Sequence, residues 1–118
     1  MTTKHTESTE AVFNHHLQAV MAHDLPAILD DYAEDGVIFT QQGPVRGKAA
    51  IEANYTDFVL PMLTEEFFQR MKILRQDIVG DTAYLVWQVE GIAELGVDVF
   101  VIRNGKIASQ AFAMQPSR

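Results

Sequence analysis

Cysteine is absent from this chain of 118 residues, and tryptophan occurs once. The absence of thiols excludes disulfide scaffolds, thiolate zinc sites and cysteine nucleophiles. No apolar run approaches the roughly 20 residues that a membrane-spanning helix needs, and the first ten residues are polar, without the apolar region of a secretory signal. We therefore expect no membrane association and a cytoplasmic location.

Basic residues are also scarce, with 9 Lys and Arg against 16 Asp and Glu and a formal net charge of −7. They are scattered singly, so no basic stripe is available for nucleic-acid phosphates, and no nucleic-acid partner is expected. The histidines lack the spacing of a metal clamp, and no glycine-rich loop follows a strand. The sequence thus indicates neither a metal site nor a nucleotide cofactor.

The hydrophobic content of 47% is enough for one core. We expect a single domain over residues 1–118, with a flexible tail at 1–8. Apolar residues recur at helical spacing within 9–22, 24–32 and 47–60, which predicts three helices. Asp24 is the predicted N-cap of the second helix, and Pro61 marks the end of the third or a kink in it.

Period-two patterns predict strands, which lie at 37–40, 67–79, 82–93, 97–103 and 106–115. The turn signal Asn104-Gly105 favours a type I′ hairpin between the last two. Helices followed by strands predict an α+β domain whose helices cover one face of a curved antiparallel sheet. The middle strands are apolar on both faces, so we expect a homodimer through the other face; the alternative is that the outer valines are simply exposed.

Asp98 is the most informative residue of the chain. It lies alone in the apolar run Gly96–Ile102, where strand alternation places it on one face with Phe100. An ionised carboxylate in such surroundings costs several kcal/mol unless it is paired, hydrogen-bonded or protonated. Asp98 is therefore either satisfied structurally or uses a shifted pKa for chemistry. By contrast, the acidic pairs at 30–31, 34–35 and 65–66 are interpreted as solvated helix ends and turns.

Three segments, Asp24–Val37, Gly43–Ile51 and Asp98–Ile107, resemble the nuclear transport factor 2-like superfamily, and more narrowly its SnoaL-like and ketosteroid isomerase-like branch. The resemblance spans about residues 10–114. It implies a cone-shaped, cystatin-like fold in which the curved antiparallel sheet wraps around three N-terminal helices. It settles no activity, because the superfamily includes isomerases, polyketide cyclases, epoxide hydrolases, dehydratases and proteins without known chemistry.

The resemblance also implies a site between the concave sheet face and the helices. Asp98 takes the position of the protonated aspartate of the ketosteroid isomerase oxyanion hole, and His16 takes that of the oxyanion tyrosine. Thr40 replaces the proton-shuttling aspartate and cannot act as that base, although its hydroxyl can orient a substrate carbonyl or a water. His16 is either a hydrogen-bonded core residue or the acid/base partner of Asp98.

Further side chains are expected to line the pocket. Tyr55 matches a pocket tyrosine of the isomerases, Tyr32 a position where some members have another, and Trp87 supplies an aromatic wall. For each of the three the alternative is a plain core aromatic. The predicted catalytic residues are Asp98 and His16, and the predicted pocket residues are Tyr32, Thr40, Tyr55, Trp87, Phe100, Gln110, Phe112 and Met114.

Two functions follow from these residues. The first hypothesis is a cofactor-free isomerase, cyclase or dehydratase that acts on a small hydrophobic carbonyl compound. Asp98 would be its acid/base or its hydrogen-bond donor to an enolate. The second is a noncatalytic module for apolar-ligand binding or dimerisation. The lack of a carboxylate at position 40 favours the second, and a buried Asp98 opposite His16 favours the first.

Overall fold

The computed structural model describes the backbone of residues 2–118 and the side chains of residues 9–118. The flexible tail predicted at 1–8 therefore lies outside the fully described residues. The helices are α1 (Thr2–Met21), α2 (Leu25–Asp30), α3 (Lys48–Asn54), α4 (Leu60–Met62) and α5 (Glu65–Arg70), with a π-helical segment (Tyr55–Val59) between α3 and α4. The strands are β1 (Tyr32–Thr40), β2 (Gly43–Arg46), β3 (Met71–Val79), β4 (Thr82–Val89), β5 (Ala93–Arg103) and β6 (Lys106–Pro116).

Within the described residues, six strands form one sheet in the order β2-β1-β6-β5-β4-β3. The predicted α+β class with a curved sheet and packed helices is confirmed. One detail differs, because β1 and β6 run parallel while the other neighbours are antiparallel. The helices between β2 and β3 carry the chain to the far edge of the sheet. The meander then returns, so that its last strand lies beside β1.

Two helices begin at side-chain caps. The Asp24 carboxylate accepts a hydrogen bond from the Ala27 N–H at 3.2 Å, as predicted for the start of α2. Thr64 Oγ1 accepts one from the Phe67 N–H at 3.1 Å at the start of α5. The prediction that residues 67–70 are a strand is wrong, because this cap and the acidic first turn stabilise a helix there.

The third predicted helix is split by a π-helical segment immediately before Pro61. The Leu60 N–H donates to the carbonyl of Tyr55, five residues earlier. Proline has no N–H and its ring crowds the carbonyl four residues back, which favours a widened preceding turn. Tyr55, the first residue of this widened turn, is buried in the core.

The two faces of the sheet differ in what covers them. On the inner face, Phe13 of α1 packs edge-on against Phe100 of β5, with ring centroids 5.6 Å apart. On the outer face, Val97 and Val99 are half-buried and Phe39 is 51% exposed. Among the described helices, none is both long and apolar enough to cross a membrane.

Candidate functional site

The carboxylate of Asp98 accepts a hydrogen bond at each oxygen on the inner face of the sheet. Trp87 Nε1 donates to Oδ2 at 2.9 Å, and Gln110 Nε2 donates to Oδ1 at 2.9 Å. Trp87 lies on β4 and Gln110 on β6, the two strands that flank β5. The solitary acid of the sequence is therefore held by neutral N–H donors from both neighbouring strands.

Gly96 determines where the indole of Trp87 lies. The two residues are paired across β4 and β5. A Cβ atom added at Gly96 would lie 2.2 Å from the indole Cε2 and Cζ2 atoms. Phe112 stacks on the indole with centroids 6.3 Å apart, and Phe67 packs against it at 5.7 Å. The missing side chain thus lets the indole lie across the strand and direct its N–H at Asp98.

Burial raises the pKa of Asp98 above its usual value, because desolvation disfavours the charged form. The hydrogen bonds from Trp87 and Gln110, and then the charge of His16, lower the pKa in part. Asp98 is half-buried, whereas Trp87 and Gln110 are buried. It therefore combines partial access with a higher proton affinity than an ordinary aspartate.

His16 is only 2% exposed, and its two ring nitrogens contact different groups. Nδ1 lies 3.3 Å from Asp31 Oδ2, and Nε2 lies 3.2 Å from the Tyr55 hydroxyl and 3.5 Å from the Tyr32 hydroxyl. Among the described side chains, Asp31 is the carboxylate that holds this imidazole. The direct pairing of His16 with Asp98 that we considered from the sequence is not observed.

The Tyr32 hydroxyl joins the histidine to the Asp98 cluster. It lies 2.7 Å from the Tyr55 hydroxyl and donates a hydrogen bond to Gln110 Oε1. Burial is the main cause that raises the pKa of both tyrosines, so both hydroxyls stay protonated. A continuous set of contacts, hereafter the polar chain, comprises Asp31, His16, Tyr55, Tyr32, Gln110, Asp98 and Trp87.

Asp31 is the member of the polar chain that sequence reasoning missed. Its interpretation as part of a solvated helix end is wrong, because it is 7% exposed and lies between two histidines. Its Oδ1 is 2.8 Å from His15 Nδ1, and its backbone carbonyl accepts a hydrogen bond from the Ile107 N–H at 2.7 Å. No local pattern indicates these contacts, since they join the end of α2 to α1 and β6. The acidic pairs at 34–35 and 65–66 are exposed, as expected.

Six of the ten predicted site residues belong to the polar chain, and three of the others lie near it or in the adjoining core. Phe100 packs edge-on against the His16 ring at 5.4 Å, and Phe112 stacks on Trp87. Met114 is half-buried against the hydrophobic core. Thr40 lies apart, because its hydroxyl donates to the Gly43 carbonyl at 2.8 Å and closes the turn between β1 and β2.

A recess of about 180 Å³ lies elsewhere on the sheet, lined by Arg70, Lys72, Gln88, Glu90, Gly91 and Glu94 among others. Its lining contains no member of the polar chain, so a pocket at Asp98 stays a prediction. Among the side chains of residues 9–118, no group of three or more His, Asp or Glu is arranged to hold a metal ion.

The fold resembles solved structures over most of its length. A nuclear transport factor 2-like protein of unknown function from Burkholderia xenovorans has a TM-score of 0.76 at 19% identity, with 97% of this chain and 88% of that chain covered. A candidate ketosteroid isomerase from Kribbella flavida has a TM-score of 0.74 at 14% identity, with 95% of this chain and 81% of that chain covered. A candidate polyketide cyclase from Sinorhizobium meliloti has a TM-score of 0.68 at 19% identity, with 86% of this chain and 93% of that chain covered. These low identities show the fold alone.

No curated protein matches the sequence. The model of the SnoaL-like domain family, however, matches residues 13–110, a range that contains the whole polar chain. This range extends from α1 to β6 and so includes the helices and strands that form the site. The chain belongs to the SnoaL-like domain family, and its fold is similar to that of nuclear transport factor 2-like proteins.

Proposed function

We propose that the protein is a cofactor-free enzyme that transfers a proton on a small hydrophobic carbonyl compound, as an isomerase, cyclase or dehydratase does. The observation that carries this proposal is the half-buried Asp98 carboxylate with a pKa raised by burial. A carbon next to a carbonyl group is a weak acid, and a base of raised pKa removes its proton more readily than an ordinary carboxylate does.

Asp98 is the catalytic base in this proposal. Each of its oxygens uses one lone pair to accept from Trp87 or Gln110, which leaves a second lone pair for a substrate proton. The proton moves from the substrate carbon to Asp98 and leaves an enolate. Return of the proton to a different carbon completes an isomerisation. In a cyclisation, the enolate carbon attacks a second carbonyl of the same molecule, and the alkoxide that forms takes the proton from Asp98. Neither route needs a cofactor.

This role differs from the one that the family resemblance implies for Asp98. In the ketosteroid isomerases the matching aspartate is protonated and donates a hydrogen bond. Here both oxygens accept from N–H donors, an arrangement that favours the ionised form. Asp98 can therefore supply the base that is missing at Thr40.

The substrate class follows from the side chains beside the carboxylate. Phe112 and Met114 are half-buried on the same face of β6, and Phe112 is stacked on Trp87. Apolar surface with a few polar groups is typical of sites for hydrophobic small molecules. The names of two structural relatives, a ketosteroid isomerase and a polyketide cyclase, are consistent with this class.

Hydrogen–deuterium exchange tests the proposal without knowledge of the overall reaction. The protein is incubated in D₂O with 2-tetralone and with 5-androstene-3,17-dione, and NMR measures deuterium entry next to the carbonyl. We expect catalysed exchange that falls by about 100-fold or more in Asp98→Asn, because a positioned base contributes about 10²–10⁴-fold. The matched control Asp57→Asn alters an exposed carboxylate and should retain the rate.

Two outcomes contradict the enzyme proposal. One is exchange that persists at the full rate in Asp98→Asn. The other is binding of either ketone, observed as chemical-shift changes around Trp87, without exchange above the rate in buffer. The second outcome supports the noncatalytic ligand-binding alternative.

A specific observation favours that alternative as a second candidate function. His16, Tyr32, Tyr55 and Gln110 are all buried, and their polar atoms have partners within the protein. A satisfied polar network of this kind also occurs in cores where it only specifies the packing. In a binding module, Asp98→Asn retains ligand affinity.

We also propose that the protein forms a homodimer through the outer face of the sheet and acts in the cytoplasm. Half-buried Val97 and Val99 and the exposed Phe39 provide the apolar surface for the dimer. A second copy of the same face would cover it symmetrically.

A further inference from the structure

Each contact of the polar chain needs a hydrogen atom, and few of its groups can supply one. Five contacts join Asp31 to Asp98 through His16, Tyr55, Tyr32 and Gln110, and each needs one hydrogen between its two atoms. A tyrosine hydroxyl supplies one hydrogen, and a glutamine side chain donates only from its nitrogen. The protonation states at the two ends therefore fix the direction of every bond between them.

In the first arrangement Asp98 and Asp31 are both ionised, and Asp31 stays ionised in the second. Asp98 can only accept, so Gln110 donates from Nε2 and its Oε1 accepts from Tyr32. The 2.7 Å contact between the tyrosines then takes the hydrogen of Tyr55. Tyr55 must accept from His16 Nε2, while Nδ1 donates to Asp31. Both ring nitrogens carry hydrogen, and His16 is an imidazolium ion.

In the second arrangement Asp98 is protonated and every bond between Asp98 and His16 reverses. The Asp98 hydroxyl donates to the amide oxygen of Gln110 after that amide has turned over. The amide nitrogen donates to Tyr32, Tyr32 to Tyr55, and Tyr55 to the bare Nε2 of His16. His16 is now neutral and still donates to Asp31 from Nδ1. Both arrangements contain the same number of protons and satisfy all five contacts.

We propose that His16 and Asp98 share one proton through the polar chain, so that protonation of Asp98 accompanies deprotonation of His16. Relative to the first arrangement, Nε2 of His16 has lost one proton and Asp98 has gained one, and every other group keeps its number of protons. Asp31, Tyr32 and Tyr55 are positioning residues, because they act on Asp98 through their neighbours. The inference rests on the proposed function for its catalytic meaning, since it gives the base Asp98 a defined proton partner.

The groups that face the two ends support this coupling. Asp31, Tyr32 and Tyr55 are the titratable groups around His16, and the ring of Phe100 from β5 packs edge-on against it. Asp31 also contacts His15, which is 54% exposed and connects this end to solvent. Asp98 faces the neutral donors Trp87 and Gln110, which do not titrate.

An NMR titration of the full chain labelled with ¹⁵N and ¹³C tests the proposal. The ring nitrogens of His16 report its protonation, and the carboxyl carbon of Asp98 reports that of the acid. If the two share a proton, both nuclei show the same two titration steps. A single step for His16 that leaves the Asp98 carbon unchanged overturns the proposal.

Tyr32→Phe removes the hydroxyl that connects Gln110 to both His16 and Tyr55, and it leaves His16 and Asp98 in place. We expect each end then to titrate in one step of its own. Tyr84→Phe is the matched control, because Tyr84 lies outside the polar chain on the outer face. In this variant His16 and Asp98 should still show the same two titration steps. Should Tyr32→Phe fail to fold, Gln110→Met interrupts the polar chain next to Asp98, and the same independent titrations are expected. Shared steps that survive either interruption overturn the proposal.

The outcome is separable from that of the exchange assay. Shared titration without ketone exchange supports the proton-sharing pair and contradicts the enzyme proposal. Exchange that depends on Asp98, together with independent titrations, supports the enzyme and contradicts the shared proton.

Discussion

Replacement of Gly96 by alanine is expected to destabilise the protein by displacing Trp87 from Asp98. The added Cβ would lie 2.2 Å from two indole carbons and 2.5 Å from a third. Carbon atoms in contact normally lie about 3.5–4.0 Å apart, so the indole has to move by more than about 1 Å. Phe112 and Phe67 pack against the same indole, so little space is available for that movement.

The expected magnitude combines two costs. Inserting a methyl group into a well-packed site typically costs about 1–3 kcal/mol. Loss of the N–H bond to the Asp98 carboxylate costs about 1.5–3 kcal/mol, because the acceptor is charged and partly buried. The two costs overlap, since the same movement causes both. We therefore expect Gly96→Ala to lower the free energy of unfolding by about 2–4 kcal/mol.

Urea unfolding followed by tryptophan fluorescence measures both effects, because Trp87 is the single tryptophan of the chain. Gly96→Ala should lower the urea midpoint and shift the emission to longer wavelength. Gly80→Ala is the control: its Cβ meets no atom within 4 Å, but its φ of +58° makes alanine cost about 1–2 kcal/mol. Its emission should not change. Stability within about 0.5 kcal/mol of the parent and unchanged emission for Gly96→Ala would refute this reasoning.

Three further predictions concern other parts of the molecule. Burial raises the pKa of Tyr32 and Tyr55, so above pH 10 the unfolded chain releases two protons that the folded chain retains. Their contribution should lower stability by about 2.7 kcal/mol per pH unit in urea unfolding. Tyr55→Phe should lose stability with pH at half of that rate, and Tyr84→Phe at the full rate. Equal rates in the two variants would contradict the assignment of this pH dependence to Tyr32 and Tyr55. Thr64→Ala removes the cap of α5 and should cost about 1 kcal/mol in urea unfolding, and no change would exclude a stabilising cap. Phe39→Asp should convert the proposed dimer to a folded monomer in sedimentation equilibrium, and an unchanged mass places any interface elsewhere.

Much of the fold was predictable because its signals are local. The Asp24 cap requires only a side chain three residues before its donor. Asn104 and Gly105 both have positive φ, at 54° and 76°, as a type I′ turn between two strands requires. Strand alternation likewise placed Asp98 and Phe100 on one face of β5.

The departures arise where distant contacts determine the local structure. Residues 67–70 have an apolar pattern that suits a strand, but Phe67 packs against Trp87 from a capped helix. The strand β1 begins at Tyr32, where a helix was predicted to end. Its start is held by the pairing of Tyr32 with Ile107, a partner that no local pattern reveals.

The candidate site shows the same division. Asp98, Trp87 and Gln110 were all predicted at the site. Alternation along β5 placed Asp98 on one face with Phe100, whereas Trp87 and Gln110 were assigned to the pocket by the family resemblance. That Trp87 lies over Gly96 depends on the register between β4 and β5. Asp31 contacts His15 and His16, which lie 16 and 15 residues before it in the sequence. Such contacts depend on how α1 and α2 pack, which periodicity does not specify.

The choice of partners at Asp98 argues for proton transfer over a purely structural acid. Among residues 9–118, no Lys or Arg is paired with this carboxylate, and its two hydrogen-bond donors are neutral. A cation in contact would have stabilised the charge and held the pKa of the acid low, which makes a weak base. Neutral donors satisfy both oxygens but offset only part of the desolvation cost, so the pKa of Asp98 stays raised. The same two contacts therefore make the acid tolerable in the apolar strand and preserve its affinity for a proton.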